Sequence, residues 1–273
     1  MKNPYIRVTV LFIIQTIILI SLFVTGMNKF IQSSNTYIFA VASILGSIAA
    51  ILATCLFYKL VDKKSLRTIH LSLNRKQVLF CITFVVVIVS LFFGVTMILS
   101  KMGIVTAQFQ QNYFSNIHVI PIFILSAISW FLVALNEELQ YRGYMVANLK
   151  HLKLPSLFII SSLFFVASHI LKVGLNPLLL VLLSGAITLM YIYLKTESLM
   201  CAIIPHFIYD FLTEQLIGSS EISIIQIEGI PSNLYSAILW GLFLLTQIVM
   251  VNLFFKEKVT IRWKKRHEGV FYM

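Results

Sequence analysis

Apolar runs of about twenty residues recur along the chain, separated by short polar breaks, and a bilayer core of about 30 Å needs roughly that length per helix. Eight stretches qualify: residues 6–26, 37–58, 77–100, 119–138, 155–171, 177–194, 198–217 and 234–255. The pattern predicts an all-α fold, a polytopic bundle of about eight transmembrane helices that makes residues 1–273 a single membrane-embedded domain. No stretch combines ordinary charge density with a helical or alternating pattern long enough for a soluble domain. The first run is too long for the core of a cleaved signal and lacks a small-residue cleavage site, so it is expected to be an uncleaved anchor.

Composition agrees with this picture: 59% of the 273 residues are hydrophobic and only 11% are charged. The net charge of +11 is distributed as topology, because every Lys and Arg except Lys29, Lys101 and Lys172 falls on one side of the predicted membrane. Basic loops stay in the cytoplasm, so both termini and the basic tail over residues 256–273 are expected there, and membrane lipids are the expected surroundings. Nucleic acid is set aside as a partner, since no recognition module is present and the basic clusters flank helices. Cys55, Cys81 and Cys201 lie within apolar runs without CxxC or Cys/His spacing, and read as packing residues. Of the longer connections, residues 60–76 read first as a connecting loop, although Leu66, Ile69, His70 and Leu73 fall at roughly helical spacing, consistent with an amphipathic helix on the inner leaflet. Residues 101–118 and 218–233 are expected as external loops.

The polar residues inside or beside apolar runs are few, and charge there is expensive enough to mark function. Glu137, Glu138 and Arg142 close the fourth run, His169 lies in the fifth, and His206, Asp210 and Glu214 lie in the seventh. Glu138 and Arg142 are four apart and share a helix face, whereas Glu137 is turned about 100° away at 3.6 residues per turn. One carboxylate is thus paired and the other left free. His206, Asp210 and Glu214 are spaced as one polar stripe. A glutamate with two histidines can hydrolyse: a carboxylate base for water, an imidazole for the proton and a donor for the oxyanion. The same three, Glu137, His169 and His206, are candidate ligands for a divalent metal such as zinc, although no HExxH spacing fixes them.

Three motifs then occur in order on predicted helices. Glu137-Glu138-Leu139-Gln140-Tyr141-Arg142-Gly143 fits EExxxRG, Phe165 to His169 fits FxxxH, and Thr196-Glu197-Ser198-Leu199 through His206 to Asp210 is similar to TxSLxxxxxxHxxxN. Over residues 119–212 the chain resembles the CPBP intramembrane protease family, which joins CAAX prenyl endopeptidases to bacterial Abi and bacteriocin-processing or immunity proteins. The resemblance implies an intramembrane endopeptidase in a bacterial cell membrane, with its site open to the cytoplasm and a membrane-associated peptide as substrate: a lipidated peptide, or a pheromone or bacteriocin precursor. By position, Glu137 would activate water with His169, Glu138 would pair with Arg142, and His206 with the residue at Asp210 would bind the oxyanion. Some members of the family are described as metalloproteases, so a divalent metal remains open.

Asp210 departs from the pattern, which has asparagine there, and an ionised carboxylate only accepts hydrogen bonds. Asp210 is therefore expected to orient His206, with protonation of its own carboxyl, or absence of peptidase activity, as the alternatives. Depth poses a second problem. His169 lies about 21 Å along a helix starting at Pro155, at 1.5 Å per residue, while Glu137 is expected at the end of its own helix. The site then requires the start of the fifth helix to protrude into the cytoplasm. A rival function is a non-catalytic regulator, or an immunity protein that binds a peptide toxin; a transporter with a proton relay is a weaker third.

Overall fold

The computed structural model describes residues 3–33, 36–110, 119–218, 223–228 and 233–259. Nine α-helices occur among them: α1 (Pro4–Ser33), α2 (Thr36–Leu60), α3 (Arg75–Lys101), α4 (Val119–Glu138), α5 (Met145–Leu149), α6 (Leu154–Val173), α7 (Leu178–Thr196), α8 (Met200–Phe211) and α9 (Asn233–Phe254). The described residues are 81% helical, and the all-α polytopic architecture holds. Among the described residues, six helices are long and apolar enough to cross a membrane: α1, α2, α3, the 31-residue run Val119–Leu149, α7 and α9. The apolar stretch of α6, Leu154–Ile170, is shorter, and α8 spans 12 residues before its geometry changes. The outer faces of the long helices carry Ile17, Leu52, Leu79 and Leu253, all more than half exposed, as suits contact with lipid.

Local chemistry sets the helix ends. Asn74 caps α3 by accepting from Gln77 N at 3.0 Å, and Gln77 Oε1 accepts from Asn74 N at 2.7 Å. Gln77 Nε2 also donates to Thr196 O at 2.7 Å, tying the start of α3 to the end of α7. Pro155 stands in the first turn of α6, where a missing N–H is harmless, and Gly174 ends that helix with φ 71. Within the bundle α4 packs against α2 and α8, α6 against α7, and α9 against α3 and α7. Half of α7's apolar stretch is buried inside the protein, against 17% for α1, so α7 is interior and α1 peripheral.

Three expectations change. Residues 61–74, between α2 and α3, form no amphipathic surface helix but a connection with one 3-10 turn, Leu66–Ile69, and turn or irregular backbone elsewhere. Lys63 and His70 adopt positive φ, which breaks any helix, and the segment folds onto the bundle with Ile69 buried and His70 O accepting from Leu199 N at 3.0 Å. The two connections expected as external loops lie partly outside the described residues, but their described parts pair. β1 (Thr106–Phe109) is antiparallel to β3 (Ile225–Glu228), with Thr106 opposite Glu228, and β2 (Ile217–Gly218) is parallel to β3. Strands of two to four residues are too short to show alternation in sequence. The basic tail lies outside the described residues from residue 260 onward.

The third change concerns α4. It does not end at Glu138 but continues through a π-helical turn, Leu139–Tyr144, directly into α5. The wider turn is explicit where Met145 N donates to Gln140 O, five residues back. Glu137 thus stands twelve residues before the end of a continuous helix, about 18 Å, and His169 fifteen residues into α6, about 22 Å. Because α5 and α6 are joined by a short turn, the two side chains come level. The extension of α4, rather than protrusion of α6 alone, removes the depth conflict.

Candidate active site

The π turn that follows the two glutamates of EExxxRG and carries its Arg142 and Gly143 is polar yet fully buried, with Gln140, Arg142 and Gly143 inside the protein. Its backbone is satisfied from outside: Ser161 Oγ of α6 donates to Tyr141 O at 2.7 Å. Gly143 has a steric reason. A Cβ there would lie 2.7 Å from Ile69 Cγ2, so only glycine lets the 3-10 turn of the 61–74 segment pack against this helix. Arg142, counted with the basic cytoplasmic side in the sequence, is instead 1% exposed. Its Nη1 donates to Glu138 Oε1 at 2.8 Å and its Nη2 to Ala186 O of α7 at 3.1 Å.

Phe165 explains the spacing of FxxxH. Its ring lies under the Arg142 guanidinium at 4.9 Å, meets Tyr141 edge-on at 5.3 Å and lies against the His169 ring at 4.5 Å. It therefore fixes both the arginine and the histidine one turn on. His169 Nδ1 donates to Phe165 O at 2.8 Å, with Ser168 Oγ 3.2 Å away. A carbonyl only accepts, so the proton sits on Nδ1 and the Nε2 lone pair faces the site.

Four expected residues converge. Glu137 presents Oε1 to His169 Nε2 at 3.7 Å and Oε2 to His206 Nε2 at 3.6 Å, and its side chain keeps 17% exposure. Asp210 Oδ2 lies 3.4 Å from His206 Nε2. The other face of His206 is held tightly, its Nδ1 donating to Glu138 Oε1 at 2.8 Å. The group that orients His206 through Nδ1 is thus Glu138, and Asp210 faces the opposite nitrogen. Sequence spacing could not reveal this, because Glu138 already had a complete explanation in Arg142. Glu214, expected on the same stripe, does not join. α8 continues into a second π-helical turn, Leu212–Leu216, which shifts the phase, so that Glu214 is exposed and Gln215 takes the buried position.

The TxSL portion of the last motif serves as a joint. Ser198 Oγ donates to Ser72 O at 3.1 Å and Leu199 N to His70 O, so the start of α8 is docked on the 61–74 segment. Among the described residues, no group of three or more His, Cys, Asp or Glu side chains is arranged to hold a metal ion. Glu137, His169 and His206 supply ligand types that suit a divalent metal such as zinc, and the two oxygens of Glu137 face the two imidazoles.

Residues 117–212 match a family described as Type II CAAX prenyl endopeptidase Rce1-like. No curated protein and no solved structure matches the chain. The matched segment contains Glu137, Arg142, His169, His206 and Asp210, and over it the chain is similar to the Rce1-like CAAX endopeptidases, which supports the resemblance to the CPBP/CAAX protease family.

Proposed function

We propose that the protein is an intramembrane endopeptidase that hydrolyses a peptide bond in a membrane-associated peptide, using water activated by Glu137 and His169. The observation that carries this reading is the division of Glu137: its two oxygens separately face two imidazole Nε2 atoms at 3.7 and 3.6 Å. These gaps exceed direct hydrogen bonds, yet one water can reach both Glu137 Oε1 and His169 Nε2 within ordinary bond length. As the water oxygen bonds to the scissile carbonyl carbon, its proton passes to Glu137, and His206, doubly protonated as an imidazolium beside Glu138, Glu137 and Asp210, donates its Nε2–H to the oxyanion. Collapse breaks the C–N bond, and the proton held by Glu137 passes to the leaving amine. Glu138 keeps the His206 ring in place throughout. No step requires a metal ligated by these residues.

The charge distribution of the loops supports both termini on the cytoplasmic side and a site reached from there, and the family supports a lipidated or secreted-peptide precursor as substrate. A second reading, a non-catalytic regulator or bacteriocin immunity protein that binds its partner, draws on one observation. Asp210 sets an acceptor beside the nitrogen that would serve the oxyanion. The membrane peptidome of cells expressing the wild type, Glu137→Ala or His169→Ala separates the two. Peptide ends that vanish with either variant support hydrolysis; full biological function in both variants, at normal expression, overturns it.

A further inference from the structure

The matched family segment starts at residue 117, yet the far end of the catalytic helix is gripped by residues well before it. Asp62, whose side chain is fully buried, accepts from Arg7 Nη1 of α1 at 2.6 Å and from Asn148 Nδ2 of α5 at 3.4 Å. Asn148 Nδ2 also donates at 3.1 Å to the carbonyl of Tyr144, the last residue of the π turn. Lys64 Nζ donates to Asn148 Oδ1 at 2.8 Å and to Ala147 O at 3.0 Å. Ala147 lies in the last turn of α5, whose final carbonyls have no partner within the helix, and an amine there also suits the helix dipole.

These contacts matter because of what lies between them and the site. A π turn holds one residue more than an α turn, so losing it would rotate everything before it by about 100° relative to α5. Glu138 would then leave His206 and Arg142. A helix can keep such a turn only when both sides are anchored. On the site side the anchors are the bonds of Glu138, and on the other they are Asp62, Lys64 and Arg7.

We propose that Arg7, Asp62 and Lys64 form a clamp on α5 that fixes the register of the π turn and thereby holds Glu138 against His206. They are positioning residues for the site and touch no substrate. The inference rests on the reading of Glu137, Glu138 and His206 as the hydrolytic centre, but its test does not require turnover. Full-length protein labelled with 15N-histidine is placed in phosphatidylglycerol and phosphatidylcholine bilayers, and the ring nitrogens of His206 are followed by solid-state NMR. Assignment uses His206→Gln, and Glu138→Gln supplies the reference for a weakened Nδ1 bond. Asp62→Ala and Lys64→Met are expected to move the Nδ1 shift towards that of Glu138→Gln at temperatures well below unfolding, and Lys64→Arg to restore it. Unchanged His206 shifts in both variants, whatever their unfolding temperatures, would overturn the clamp. Movement of the shift in a protein that cleaves no peptide would leave the clamp standing and count against the hydrolase alone.

Discussion

His206 Nδ1 and Arg142 Nη1 donate to the same oxygen, Oε1 of Glu138, each at 2.8 Å. One carboxylate thus joins α4 to α8 directly, and to α7 through the second bond of Arg142 to Ala186 O. Glu138 is wholly buried and Arg142 nearly so. Removing one member of such a pair strands the other charge, at a cost of about 3–5 kcal/mol, whereas removing both can be close to neutral.

Glu138→Leu is therefore expected to lower the thermal unfolding midpoint sharply, and Arg142→Met in the same background to recover a large part of the loss. Unfolding followed by circular dichroism in detergent measures both. Equal midpoints for the single and double variants would show that the ion pair does not anchor the helix.

Asp210→Asn follows from the orientation of His206. Since Glu138 holds Nδ1, Asp210 is not needed to orient the ring, and its carboxylate sits 3.4 Å from the nitrogen facing the site. An asparagine amide would put a donor where the oxyanion forms. The variant is expected to keep or raise peptidase activity, by up to about tenfold, since a single oxyanion donor is worth about 10²–10³ when fully aligned. Loss of activity with unchanged unfolding would return the orienting role to Asp210.

The depth of reading that sequence allowed differs from residue to residue. Glu138 with Arg142 was legible because four-residue spacing within one helix is local geometry. The convergence of Glu137, His169 and His206 was legible only through the resemblance, since no local pattern states which helices meet. The end of α4 was misplaced because Gln140, Tyr141 and Arg142 look like a polar flank, whereas tertiary partners bury all three. The role of Ala186 O had no sequence signal, as any residue has a carbonyl. The two π turns were equally silent, and they decide where Arg142 and Glu214 point.

Gly143 tests how the 61–74 segment sits on the helix. Gly143→Ala adds a Cβ 2.7 Å from Ile69 Cγ2, a stiff β-branched methyl in a buried side chain. Overpacking costs about 1–3 kcal/mol, while replacing glycine in a helix returns about 1 kcal/mol. A net loss of about 1 kcal/mol is expected. Ile69→Ala alone costs about 2–5 kcal/mol through its cavity, but less in the Gly143→Ala background, where the new methyl occupies part of the space. Chemical denaturation of the four proteins gives the coupling, and strict additivity would show that the two residues do not meet.

Lys64 gives the fold a pH dependence whose sign is fixed by burial. Desolvation pulls its amine down to about 8 from the usual lysine value of 10.5, outweighing Asp62, which acts in the opposite direction, while Arg7 and Lys150 add to the lowering. Between pH 8 and 10.5 the unfolded chain holds this proton and the folded protein does not, so stability from this group rises with pH across that window. Below about pH 8 both states are protonated and the full cost of the buried charge is present. The neutral amine still has two hydrogens, one for Ala147 O and one for Asn148 Oδ1, so deprotonation leaves the clamp intact. The unfolding midpoint of the wild type relative to Lys64→Met is therefore expected to increase from pH 7.5 to pH 9.5, with the His206 environment unchanged. A difference that shrinks with rising pH would mean that the charge on Lys64, rather than its hydrogen bonds, holds the end of α5.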